Sequence, residues 1–324
     1  MAQLYGALEA EGFELLAWRW RPTLRRVDIF HVQWPDATVM GRSTPRAALK
    51  VLLLLVSTWV FRVRGAKVVQ HVHNLGSHDG LHPGLEAWMW RRFLPRVDCF
   101  VHMSRSSVDA MAQAWPQVAA RRHEVVFHPE YQQVGTLDVP QRDALRDEEG
   151  IPRSTTVLLA FGLIRPYKGI EDLIAAFKAT TLPDARLVIM GKPFDETYRA
   201  TLAVAAADDP RITTRFGYVP EDELVRWMAV ADVVVMSHRR LTNSGVALRA
   251  LAAGRLVLAP ALGALPEIAE AVGGGWVQLF TPPLHAGHLE AVTAPTTPTP
   301  DLSQFRRDVV GKRIAALFAD VAAG

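Results

Sequence analysis

Short apolar runs rich in Val, Ile, Leu and Phe alternate along the whole chain with stretches whose apolar residues recur at helical spacing. That alternation is the pattern of parallel sheets built from strand-helix-strand units. In the first half the predicted strands are FELLAW (13–18), VDIFHVQW (27–34), AKVVQHV (66–72), VDCFVHM (97–103) and HEVVFH (123–128). In the second half they are TTVLLAF (155–161), RLVIM (186–190), RITTRF (211–216), ADVVVMS (231–237), RLVLAP (255–260) and WVQLF (276–280). Helices are expected over 169–180, 220–230 and 244–253, and a last amphipathic one over 303–322 follows the Pro/Thr-rich loop TAPTTPTPD (293–301).

A charged stretch poor in apolar residues, around 131–154, divides the series. The expected organisation is therefore an α/β protein of two Rossmann-like, doubly wound parallel-sheet domains facing a cleft. Residues 1–135 form the first domain, 136–154 the linker and 155–290 the second domain, while 291–324 supply the Pro/Thr-rich loop and a helix that packs back toward the first domain. The chain opens on a helical segment where such a domain normally opens on a strand and loop, so a first strand is expected to be missing, with the true start upstream.

Composition narrows the partners. The chain has 324 residues, 49% of them hydrophobic and 21% charged, which suits a globular protein of two domains. Lys and Arg exceed Asp and Glu by only 36 − 33 = 3, so a histone-like binder of nucleic acid is excluded, and basic character is local. It gathers in WRWRPTLRR (18–26) and WMWRRFLPR (88–96). Cys99 is the single cysteine; no intrachain disulfide can form, and a reducing, cytoplasmic setting is the simpler expectation. The N-terminus lacks the layout of a signal peptide. The run AALKVLLLLVSTWVF (47–61) is interrupted by Lys50 and falls short of the roughly 20 residues needed to span a bilayer. It reads as a core helix with a solvated basic end or as a helix resting on an anionic membrane surface, which would make the protein peripheral on the inner face of the cell membrane.

The candidate chemistry sits at strand ends. In FGLIRPYKGIEDLIAAF (161–177) a strand ends at Gly162, a short loop presents Arg165 and Lys168, and Gly169 opens a helix. Two cations at the carboxyl end of a parallel strand are placed to hold a diphosphate by charge-assisted hydrogen bonds. In HRRLTNSGVALRALAAGRLVLAP (238–260), Asn243, Ser244 and Gly245 stand at a helix N-terminus, where backbone N–H groups favour an anion; the same tripeptide also makes an ordinary turn and cap.

Histidines crowd the first half. IFHVQWPD (29–36) and VVQHVHNLGSHDGLHP (68–83) end strands in His31, Trp34 and Asp36 and in His71, His73, Asn74, His78, Asp79 and His82. Zinc is a competing reading, but the spacing matches neither a helical His-x3-His pair nor a Cys/His set. No dinucleotide fingerprint, P-loop or G-x-S-x-G elbow is present.

FGLIRPYKGIEDLIAAF, FGYVPEDELVRWMAVADVVVMS and NSGVALRALAAGRLVLAPALGALPEI, in this order over most of 155–275, together resemble the donor domain of family 4 glycosyltransferases of GT-B fold. The resemblance implies transfer of a sugar from a nucleotide diphosphate-sugar to an acceptor hydroxyl, in polysaccharide, glycolipid or glycoconjugate biosynthesis, without a metal or other cofactor. It implies a donor-diphosphate site at Gly162, Arg165, Lys168, Asn243, Ser244 and Gly245. Gly263 and Glu267, from the G-x-x-P-E turn, would lie at its periphery. On the acceptor side it implies catalytic roles for His73 and Asn74, with a glycan or lipid-linked saccharide as acceptor and no nucleic acid partner. Two features depart from the family. Leu163 stands where an Arg usually follows the Gly, and Leu241 and Arg249 replace both glutamates of the motif E-x7-E. A non-catalytic glycosyltransferase-like binding subunit and a nucleotide-sugar 2-epimerase of the same fold are the alternative readings.

Overall fold

The structure, a computed structural model, describes residues 2–16, 26–76, 80–130 and 139–324. The first Trp/Arg cluster lies largely outside the described residues, as do His78 and Asp79. The chain divides into two compact units, residues 1–129 with 304–324 and residues 130–303.

The first unit is built on a four-stranded parallel sheet, β1 (Ile29–Val32), β2 (Lys67–Val72), β3 (Cys99–His102) and β4 (Arg122–Val125), in the spatial order 1-2-3-4. Its helices are α1 (Ala2–Ala10), α2 (Thr44–Val63), α3 (Pro83–Phe93) and α4 (Arg105–Ala114). Alternate strand residues point to opposite faces. Phe30, Val32, Val68, Val72 and Phe100 pack with α2 and α3 around Leu54, Trp90 and Phe93. Val69, Cys99 and Val101 face the other way, where they meet Leu8 of α1 and Ile314, Leu317 and Phe318 of a helix from the far end of the chain. Phe13 and Leu15, expected in a first strand over 13–18, form none in the described residues 13–16. They pack on this second layer instead, with the Phe13 ring edge-on to Phe318 at 6.3 Å between centroids.

In the second unit six parallel strands, β5 (Thr156–Phe161), β6 (Ala185–Gly191), β7 (Ile212–Phe216), β8 (Val233–Val235), β9 (Leu256–Pro260) and β10 (Val277–Phe280), are ordered 10-9-8-5-6-7. They answer the six runs of the second half: the inner strands β5, β6, β8 and β9 are buried on both faces and read as nearly continuous hydrophobic segments, while the edge strands β7 and β10 carry polar and exposed positions. The helices are α5 (Val139–Glu148), α6 (Ile170–Lys178), α7 (Glu196–Ala206), α8 (Glu221–Val230), α9 (Gly245–Ala252), α10 (Leu265–Val272) and α11 (Ala286–Glu290). Leu158, Leu187, Val233 and Leu256 pack with α6 and α7; Val157, Leu159, Val188, Val234 and Val257 are buried on the opposite face. The strand order reverses between β5 and β8, and the crevice outside the carboxyl ends of strands at such a reversal is where open α/β sheets take ligands.

The helix α12 (Arg307–Ala323) closes the first unit. Within the stretch read as a linker, 136–154, stands α5, a polar helix that lies against α8. Its Arg146 is buried. Nη2 donates to the Asp232 carboxylate at 2.7 Å and to Val230 O at 3.0 Å, and Nη1 to Arg153 O and Thr155 O, each at 3.1 Å.

Candidate functional site

The loop after β5 carries the first two cations. Ile164 forms a bridge with Pro193 beyond β6, its N–H donating to Lys192 O at 2.9 Å. Arg165 follows in extended conformation as the cap of a 3-10 turn, Pro166–Lys168. Its guanidinium donates to Ile164 O at 3.0 Å and lies over the Phe194 ring, 5.6 Å from the centroid. Lys168 is largely desolvated. Burial, with the Arg165 charge beside it, pushes its ammonium down to about 8, so the free site holds one permanent cation and one that is readily neutralised.

Gly169 then turns the chain into α6 with φ 61° and ψ 38°. A Cβ there would stand 2.5 Å from Ser237 O and 2.9 Å from an Asp172 carboxylate oxygen, so glycine alone fits the crossing of the β5 and β8 loops. Other contacts lock the same crossing. Ser237 Oγ donates to Lys168 O at 2.7 Å, and Arg239 N–H to Tyr167 O at 2.8 Å. Arg239 also grips Asp172 with two bonds of 2.7 Å. Of the three basic residues after β8, Arg239 is therefore a brace for the Lys168 loop and Arg240 is exposed. His238 is buried near Lys168, and its imidazole is pushed down to about 3 by burial and that ammonium.

Ser244 caps α9, its Oγ accepting from Ala247 N–H at 3.1 Å. Asn243 and Gly245 flank it, both half-buried. Gly263, at φ 53°, lies where a Cβ would meet Leu241 O at 2.5 Å and Thr242 O at 2.6 Å, and Ala264 N–H donates to Thr242 O at 3.0 Å. The turn before α10 is thereby tied to the loop before α9, with Glu267 in the first turn of α10. Gly162, Arg165, Lys168, Asn243, Ser244, Gly245 and Gly263 thus all stand beyond the carboxyl ends of β5, β8 and β9, three adjacent strands. Arg249, in the position of the second family glutamate, is paired with Glu221 of α8.

His73 and Asn74 belong to the first unit, just after β2. The imidazole of His73 stacks on exposed Trp34 at 4.4 Å between centroids and on His71 at 5.1 Å; His31 follows at 5.7 Å from His71. Burial lowers all three, His31 to about 4 and His73 to about 3, and neighbouring imidazoles add to the effect at His71 and His73. Both ring nitrogens of His31 and of His71 are buried with no hydrogen-bond partner among the described residues. Asn74 Nδ2 donates to the carboxylate of buried Asp36 at 3.2 Å. Trp34 and Asp36 were legible as the end of IFHVQWPD; their partnership with His73 and Asn74 depends on the parallel register of β1 and β2. Among the described residues no three His, Cys, Asp or Glu side chains are grouped to hold a metal ion.

Residues 155–289 match the family described as glycosyl transferases group 1. A GDP-mannose:glycolipid 4-beta-D-mannosyltransferase of Xanthomonas campestris pv. campestris is 33% identical over 318 residues, covering 94% of this chain and 83% of that protein. A D-inositol 3-phosphate glycosyltransferase of Mycolicibacterium smegmatis is 32% identical over 236 residues, covering 68% of this chain and 52% of that one. In fold, the chain is similar to WaaG, a glycosyltransferase involved in lipopolysaccharide biosynthesis (TM-score 0.59, 13% identity, 99% of this chain and 89% of that chain). It is also similar to Anabaena Alr3699/HepE in complex with UDP-glucose (TM-score 0.60, 16% identity, 85% and 74%). With its two parallel sheets, its switch point beside Arg165 and Lys168 and these relatives, the chain belongs to the group 1 glycosyltransferases of GT-B fold and is a nucleotide-sugar-dependent glycosyltransferase.

Proposed function

We propose that the protein transfers mannose from GDP-mannose to a hydroxyl of a glycolipid on the cytoplasmic face of a membrane, forming a β-linkage. The identity of 33% over 94% of the chain with a GDP-mannose:glycolipid 4-beta-D-mannosyltransferase carries this reading. The second unit is the donor domain and the first the acceptor side. Mannose is α-linked in GDP-mannose, so a β-product requires inversion. The acceptor oxygen attacks the anomeric carbon as the bond to the diphosphate breaks, and the hydroxyl proton must leave to a base.

The leaving diphosphate is the larger electrostatic demand. Arg165 and Lys168 meet it, with the capped N-terminus of α9 as a third positive feature, so no metal is required. A diphosphate bound beside Lys168 raises its pKa and holds it in the ammonium form. On the acceptor side His73, held neutral, orients the hydroxyl; an imidazole depressed to about 3 is a weak proton acceptor. Proton removal falls to Asp36, the carboxylate that Asn74 holds.

The test is mannosyl transfer from labelled GDP-mannose to a lipid extract, with other nucleotide-sugars in parallel. Arg165→Ala and Lys168→Ala are each expected to lower kcat/KM by about a hundredfold, and a chelator to leave the rate unchanged. Asp36→Asn is expected to lower kcat with little change in KM for GDP-mannose. Transfer from another nucleotide-sugar but not from GDP-mannose would overturn the donor, and full activity of Lys168→Ala would overturn the placement of the diphosphate.

A further inference from the structure

Helix α2 runs for 20 residues and buries only one side. Ala47, Val51, Leu54, Thr58 and Phe61 face the core, whereas Leu49, Leu52, Val56, Trp59 and Val63 are exposed, from 43% for Val56 to 68% for Val63. Steps of three, four, three and four put these five on a single line along the helix, a stripe about 21 Å long. An isolated exposed leucine needs no explanation; a contiguous apolar stripe does.

The charge around the stripe has one sign. The sequence contains no Asp or Glu between Asp36 and Asp79, while Arg42, Arg46, Lys50, Arg62, Arg64 and Lys67 fall in that interval. Arg62 is held by Asp98 of the strand layer; Arg42, Arg46 and Arg64 are exposed at the two ends of the helix. Among the described residues no helix is long and apolar enough to cross a membrane.

We propose that α2 lies flat on an anionic lipid surface, its Leu49-to-Val63 stripe among the acyl chains and its arginines on the headgroups. An apolar face with basic flanks is the form of an interfacial helix, and neither acyl chains nor basic side chains suffice alone. A second copy of this chain is a poorer occupant, because it would bring like charges together. The helix also packs against the 3-10 turn Pro35–Thr38 that carries Asp36. Docking by α2 therefore sets Trp34, Asp36 and their neighbours His73 and Asn74 beside the bilayer, where a glycolipid presents its sugar. This last step rests on the glycolipid reading; lipid binding itself does not.

Flotation of the whole protein with vesicles separates the two. Wild type is expected to float with phosphatidylcholine/phosphatidylglycerol vesicles, poorly with phosphatidylcholine alone, and less at high salt. Leu52→Glu/Val56→Glu should weaken vesicle affinity by at least about tenfold with unchanged far-UV circular dichroism, and should leave turnover of a deacylated, water-soluble acceptor unchanged. Arg42→Glu/Arg46→Glu, both fully on the surface, is a second variant with the same expected loss. The proposal is overturned if wild type does not float, if both variants float as wild type does, or if sedimentation shows wild-type dimers that Leu52→Glu/Val56→Glu dissociates. Loss of flotation on vesicles free of glycolipid leaves the transfer reading standing. Failure of transfer with intact flotation leaves the docking face standing.

Discussion

Acidification from pH 7 to pH 5 is expected to remove about 6 kcal/mol from the stability of the first unit. His31, His73 and His102 are held neutral by burial, at about 4, 3 and 3 respectively, and His71 well below its ordinary value. Unfolded, each titrates near 6.5. Between the folded and unfolded values the unfolded chain binds more protons, so stability is fully present above pH 6.5 and falls with pH below it. At pH 5, one and a half units under the unfolded value, each of the three with a stated value costs about 2 kcal/mol. That total rivals the 5–15 kcal/mol of an ordinary domain. Urea unfolding followed from pH 7.5 to pH 5 reads it directly. His31→Phe, placed among Tyr5, His71 and Phe318, should reduce the pH slope by one proton. A flat profile would show that these imidazoles are not desolvated in solution.

Replacing Arg146 by Ala is expected to cost the second unit about 3 kcal/mol, the low end for breaking a buried ion pair, because Asp232 is partly exposed and keeps a second arginine. The loss is not only the contact with Asp232. Carbonyl oxygens of Val230 and Thr155 lose a buried donor and that of Arg153 a part-buried one, and each unsatisfied buried group adds its own cost. Asp232 keeps Arg142 and the Val157 N–H, so the amino ends of the central strands β5 and β8 should stay joined while α5 loosens. Arg146→Lys restores one charge without the planar fork and should fall between the two. A urea midpoint for Arg146→Ala within error of wild type would show that α5 is dispensable to the unit.

These two effects mark where the sequence is readable and where it is not. The central strands β5, β6, β8 and β9 were legible as nearly continuous apolar runs, the edge strands β7 and β10 as shorter runs broken by polar residues, and α6, α8 and α9 because their apolar positions repeat at helical spacing. Residues 139–148 were not legible as part of a unit. A helix held by one arginine and several carbonyls leaves no apolar signature, and nothing in RDALRDEE tells a buried arginine from a solvated one. The segment 13–16 erred in the other direction: Phe13 and Leu15 have strand-like alternation, but their burial partner is α12, nearly 300 residues away. At the candidate site the cations Arg165 and Lys168 stood out by position after a strand. Arg239 had no discernible role until its bidentate hold on Asp172 showed it to be a brace. Leu241 and Arg249 mark the departure from the family, and Glu221, 28 residues upstream in a different helix, is what Arg249 answers.

The first unit is made of two pieces of chain with all of the second unit between them. Synthesis on the ribosome is vectorial, and domains generally fold as they emerge. Residues 130–303 can complete their sheet while Leu8, Val69, Cys99, Val101 and Val126 still await Ile314, Leu317 and Phe318 of α12. For the time needed to translate that intervening segment, one side of the nascent four-stranded sheet is covered only by α1 and the residues after it and leaves apolar surface open. Chaperone demand during biosynthesis should accordingly concentrate on the half of the protein made first.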